Sequence, residues 1–163
     1  MARCWWVATD IHSPNVLPSD LGSTWPRAGT LWRMRAAVYR RYGPPSVVHV
    51  ESVPMPVPQV DELLVRVIAS TVNRTDCGFL SEIPYFVRLL IGLRAPQRAT
   101  REALRKFLDC EFAGLVEQVG AGVTSFTVGQ RVFGYNGVKF GGHAEYLTIA
   151  EGGLVAEIPA STS

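Results

Sequence analysis

The sequence predicts a mainly β fold, a small barrel with short helices, and three observations carry that expectation. Runs of β-branched and apolar residues recur at short intervals after residue 33, separated by glycines and prolines. The 163 residues include 15 Gly and 11 Pro, a composition of turns rather than of a helical bundle. Hydrophobic residues make up 47% and charged residues 18%, enough apolar side chain to bury a core.

The same composition narrows the function. A formal net charge of only +2 argues against a protein that coats nucleic-acid phosphates. Three cysteines do not make a disulfide framework, so a reducing compartment, the cytoplasm, is expected. No run of 18 apolar residues exists, so neither a membrane-spanning helix nor a membrane partner is expected. A dinucleotide-binding fold needs about 100–150 residues of alternating strand and helix, which is most of a chain this short.

Residues 1–33 read as an irregular extension. Trp5, Trp6, Trp25 and Trp32 fall among Pro14, Pro18, Gly22, Pro26 and Gly29, and no periodicity survives. Met34 opens a strand through Tyr39, ended by Tyr42-Gly43-Pro44-Pro45, and Val47–Val53 gives a second. Pro54, Pro56 and Pro58 alternate, forcing an extended link without ladder donors. Glu62–Val72 is the longest strand signal, and Arg66, its lone interior charge, marks a face reached by water. Pro84–Leu93 and Thr100–Leu108 have helical spacing, the second with Arg101, Arg105 and Lys106 opposite its apolar side. Strands return at 112–119, 130–135, 144–149 and 154–158, with glycines between them.

Gly120-Ala121-Gly122 begins like a dinucleotide fingerprint, but Ser125 takes the third glycine position and a strand comes next instead of a helix. Without a helix N-terminus the phosphate-binding mechanism is missing, so the segment reads as a turn. Cys77, Cys110, Glu111 and His143 match no metal-ligand spacing. Asn73-Arg74-Thr75-Asp76-Cys77 puts an amide, a cation, a hydroxyl and a carboxylate directly after the longest apolar strand. Two readings of it stay open: a pocket's polar groups, or a helix cap supplied by Thr75 or Asp76.

Several segments, in order, resemble the medium-chain dehydrogenase/reductase family. They are the Met34–Tyr39 strand with Tyr42-Gly43-Pro44-Pro45, Glu62–Val67, Thr71–Asp76, Glu111–Gly120, Val128–Gly134 and Gly142–Tyr146. The chain is most similar to the zinc-free quinone reductase or zeta-crystallin-like branch. The resemblance implies a GroES-like, alcohol dehydrogenase-like N-terminal domain over residues 34–163, a distorted β-barrel truncated before the Rossmann domain.

In the zinc alcohol dehydrogenases a cysteine stands where this chain has Asn73, and a histidine where it has Cys110 before Glu111; an amide is a poor zinc ligand, so no zinc is expected. The resemblance implies Asn73, Thr75 and Asp76 as catalytic residues, with Asn73 and Arg74 facing the cofactor. It implies NADPH as cofactor, although the domain that would hold it is absent, and a small carbonyl compound or quinone as substrate. Two functions are compatible with this. One is the substrate-side portion of a zinc-independent NAD(P)H-dependent oxidoreductase, inactive alone and needing a Rossmann domain from elsewhere, as a separate chain or in a longer native product. The other is a non-catalytic truncated GroES-like module, whose open edges favour a homodimer or another partner. The stretch 94–109 is longer than the family link and lacks a glycine before Cys110-Glu111-Phe112.

Overall fold

The computed structural model describes residues 32–41, 43–73, 76, 80, 106–107, 109–137 and 139–161. Eight strands form there: β1 Arg33–Tyr39, β2 His49–Pro54, β3 Glu62–Ser70, β4 Lys106–Phe107, β5 Glu111–Val119, β6 Arg131–Tyr135, β7 Tyr146–Ala150 and β8 Leu154–Glu157. They make a three-stranded sheet, β2-β1-β4, and a five-stranded sheet, β7-β3-β5-β6-β8, with every pairing antiparallel. The mainly β, barrel-like expectation is met.

The strands form where apolar and β-branched residues run together. In β3, Leu63, Val65 and Val67 turn to one side and join Phe112, Val116, Val132, Leu147 and Ile149 in one core. Leu64 turns to the other side and packs with Met34, Ala36, Val38, Val53, Ala144 and Tyr146 in a second. A strand buried on both faces reads as a continuous apolar run, which is why this segment gives the strongest signal. Arg66 is its exception and pairs with Glu117 on β5.

Residues 143–145 stitch the two sheets together. Ala37 N–H donates to the His143 carbonyl at 2.9 Å, Glu145 N–H to Arg35 at 3.0 Å, and Val67 N–H to Glu145 at 2.9 Å. This short segment therefore bonds to β1 on one side and β3 on the other, curling the sheets into an open barrel. Arg35 and Glu145 reinforce the seam with an ion pair at 2.9 Å. At Gly114 β5 lies tight against β3; a Cβ there would fall onto the Arg66 carbonyl oxygen and 2.8 Å from Val65 Cγ1.

Some boundaries differ from expectation. Lys106–Phe107, expected within a helix over 100–108, is a strand that pairs with Val38 and Tyr39. Its two residues are too few for any periodicity, and the partner strand decides their conformation. The second strand starts at His49 because Pro45–Val47 forms a turn of 3-10 helix. The third stops at Ser70, two residues short, and the first begins one residue early at Arg33, opposite Pro54. The segment 120–122 is a turn, and its amides are spent on the chain: Gly120 N–H on Glu62 and Gly122 N–H on Val60. The expected extension, apart from Trp32 and Arg33, and the helix over Pro84–Leu93 lie outside the described residues.

Candidate functional site

The end of β3, the start of β5 and the glycine-rich 136–145 connection meet at one corner. Beyond Ser70 the chain leaves the sheet through Thr71 and Val72 and becomes helical at Asp76. Asn73 sits at that entry. Its Oδ1 accepts the Asp76 N–H at 3.3 Å, and Asp76 Oδ2 accepts the Asn73 N–H at 3.0 Å. This reciprocal pair is a capping box, satisfying two amides that a helix start leaves without partners. The cap is therefore Asn73, with Asp76 as the returning acid, rather than Thr75 or Asp76 acting alone.

Asp76 also reaches across the corner. It is 4% exposed, and its Oδ1 accepts the Asp109 N–H at 2.9 Å. Asp109, fully buried, has a left-handed backbone at φ 61°. Its Oδ1 accepts the Glu111 N–H at 3.0 Å and its Oδ2 the Thr71 N–H at 3.1 Å. His143 Nε2 donates to the Thr71 carbonyl at 2.9 Å and lies 3.7 Å from Asp109 Oδ2. That carbonyl can only accept, so Nε2 carries a proton. Gly142 fits under this knot: its N–H donates to the Asp109 carbonyl at 3.0 Å, and a Cβ would stand 2.7 Å from Asp109 Oδ2.

The electrostatics derive from burial. Burial pushes the Asp109 carboxyl up and neighbouring Asp76 adds to this, while the Glu111 and Thr71 amides and His143 pull it back; the net shift is upward. Burial also pushes the Cys110 thiol up, against a hydrogen bond from the Tyr135 hydroxyl, with Asp109, Asp76 and Glu111 adding to the rise. Cys110 is thus a protonated, buried thiol at neutral pH rather than a poised thiolate.

Of the four residues expected at the site, Asn73 and Asp76 are brought together, and Arg74 and Thr75 lie outside the described residues. Asp109, His143 and Thr71 were not expected here. The missing glycine before Cys110-Glu111-Phe112 was the one visible sign of Asp109; the other two are joined to the corner only by long-range bonds.

Asn73 presents an amide, a poor zinc ligand, and its oxygen accepts the Asp76 N–H. Among the described residues no three His, Cys, Asp or Glu side chains converge as a candidate metal site. In the Gly120-Ala121-Gly122 turn, the Gly120 and Gly122 amides are committed to the Glu62 and Val60 carbonyls. A cleft of about 220 Å³ opens elsewhere, between the β1–β2 edge and β7.

Comparison with known proteins agrees with this geometry. The alcohol dehydrogenase GroES-like domain family matches residues 59–160. Mouse quinone oxidoreductase is 32% identical over 119 residues, covering 72% of this chain and 31% of that protein. Among solved structures, the quinone oxidoreductase of Coxiella burnetii superposes with a TM-score of 0.67 at 22% identity, covering 81% of this chain and 39% of that one. A mycobacterial protein complexed with NADPH superposes with a TM-score of 0.59 at 28% identity, covering 80% and 34%.

The chain belongs to the alcohol dehydrogenase GroES-like domain family. Within the medium-chain dehydrogenases/reductases it falls on the quinone reductase branch. It spans about a third of the length of the curated relatives it matches.

Proposed function

We propose that this chain is the substrate-side portion of a zinc-independent, NAD(P)H-dependent reductase of quinones, enones or other carbonyl compounds. The observation that carries this reading is the Asn73–Asp76 corner. In the segment that resembles the site motif of the quinone reductase branch, Asn73 and Asp76 cap each other, Asp76 also holds the Asp109 N–H, and an amide stands where zinc relatives carry a cysteine. NADPH on a similar mycobacterial structure supports the choice of cofactor.

In this reading Asn73 lies beside the nicotinamide and the substrate. Thr75 supplies a hydroxyl that donates to the carbonyl being reduced. Arg74 faces the cofactor, and Asp76 positions the turn, since both its oxygens hold backbone amides. The cofactor supplies the hydride. In this reading a dinucleotide-binding unit holds the cofactor, and turnover depends on that unit.

The test is direct. NADPH is titrated into the purified chain while cofactor fluorescence is followed, and quinone-dependent NADPH oxidation is then assayed. No binding at millimolar cofactor is expected, and micromolar binding would overturn the dependence on a second unit. With a competent dinucleotide-binding partner added, Asn73→Ala should lower turnover at least tenfold; unchanged turnover removes Asn73 from the site.

A second reading has its own observation. Phe133, Tyr135 and Leu154 are 50%, 46% and 70% exposed on the outer face of β6 and β8. Such a face favours an interaction module, paired with a second copy or another partner.

A further inference from the structure

We propose that the cleft between the β1–β2 edge and β7 is a ligand site, distinct from the Asn73 corner, for a small hydroxylated aromatic molecule. Met34, Pro54, Pro56, Phe140 and Tyr146 give it apolar walls, and Asn136 and Lys139 bring polar groups. The prolines matter because they offer flat, rigid faces and no N–H donors. A volume of about 220 Å³ compares with the roughly 150 Å³ that houses one benzene ring, so one or two fused rings fit.

The polar groups specify the ligand further. Asn136 is 6% exposed, and its Nδ2 donates to the Phe140 carbonyl at 3.2 Å and the Thr148 carbonyl at 3.1 Å. Those two bonds fix the amide orientation and leave Oδ1 as the side chain's acceptor. In a cleft lined by Asn136, that oxygen is the group that can take a donor from a ligand. Lys139 joins Glu62 and, at 3.3 Å, Thr148 Oγ1, while its side chain stays half exposed. Those two partners leave one ammonium proton for an incoming oxygen. A phenolic hydroxyl serves both groups: its proton goes toward Asn136 Oδ1, and its oxygen accepts from Lys139. Neither a plain hydrocarbon nor a bare anion does both.

The cleft is independent of the reductase reading. Its test is to titrate 2-naphthol and naphthalene separately into the full chain, following ligand fluorescence and amide and methyl NMR shifts. Saturable 2-naphthol binding is expected, at least tenfold tighter than naphthalene, with shifts centred on Met34, Ala144 and the 136–141 amides. Lys139→Met should weaken 2-naphthol at least fivefold and leave naphthalene unchanged. Equal affinity for the two probes, no saturable binding, or shifts centred on Thr71–Asn73 would overturn the proposal. Should the variant unfold, the wild-type comparison of the two probes and its shift map decide the matter alone. Loss of the reductase reading through the NADPH assays would leave these outcomes untouched.

Discussion

Asp109 combines a left-handed backbone with a buried carboxylate whose two oxygens each accept a backbone N–H. Aspartate is among the few side chains that tolerate that conformation, and here its carboxylate also ties the entry of β5 to Thr71. Asp109→Asn would turn an NH₂ toward one of those N–H donors. It should cost about 1–3 kcal/mol, read by urea denaturation, although it removes a buried charge. The pH dependence has a definite sign. Because the folded carboxyl is shifted upward, its contribution to stability is complete below the ordinary aspartate range and declines as pH rises through the folded value. The stability of wild type relative to Asp109→Asn should therefore fall across that window; a difference that grows with pH would refute the assignment. Tyr146 behaves alike at the alkaline end. Burial first, then Glu117 and Glu145 against the opposing pull of Arg66, push it up to about 12. Its contribution is complete below the usual tyrosine value and is lost as pH approaches 12. A spectrophotometric titration should show a late phenol that Tyr146→Phe removes.

Individual elements show why some features are legible in the sequence and others are not. β3 and β5 were readable because β3 is apolar on both faces and β5 alternates buried Phe112, Gly114 and Val116 with half-buried residues. β4 was not, because its conformation comes from β1 across the ladder rather than from its own residues. The corner was half readable. A cap or a pocket at Asn73–Asp76 could be foreseen, but the choice of cap depends on which side chain meets which amide. Asp109 and Thr71 are 38 positions apart, and nothing local in either announces the other. The cap makes its own prediction. Asn73→Ala should cost about 1 kcal/mol of stability, the usual loss at a helix N-cap. Asp76→Ala should cost more, because it also orphans the buried Asp109 N–H. Thermal unfolding of the two variants checks the order, and equal costs would mean that the bond from Asp109 contributes nothing. The same measurement separates a stability effect at Asn73 from the proposed effect on turnover. At Gly114, alanine has no room because the obstacle is β3 backbone; Gly114→Ala should lose the cooperative transition or cost more than about 3 kcal/mol.

At the scale of the whole molecule, the outer face of β5, β6 and β8 is the feature the fold leaves unresolved internally. Tyr135 lies opposite Leu154 and Phe133 opposite Ala156, so their side chains share one face, continued across β5 by Ala113 opposite Phe133. β8 forms the edge of the sheet, and its Leu154-Val155-Ala156-Glu157 sequence carries only one charge to discourage another strand. An apolar face beside a weakly guarded edge should associate, either with a separate unit or with a second copy. In the chain alone, the second copy is the partner on hand, so sedimentation velocity should show a weight-average mass that rises with concentration. Leu154→Lys places a charge on that face next to the edge and removes nothing from either core, since Leu154 is 70% exposed. The variant should unfold within about 0.5 kcal/mol of wild type, as surface substitutions do, and should sediment as a monomer across the same range. Association that survives Leu154→Lys unchanged would move the contact elsewhere on the molecule. A wild-type chain that stays monomeric at high concentration would show that exposed Phe133, Tyr135 and Leu154 do not suffice for self-association, removing the observation that favours the interaction module over the reductase.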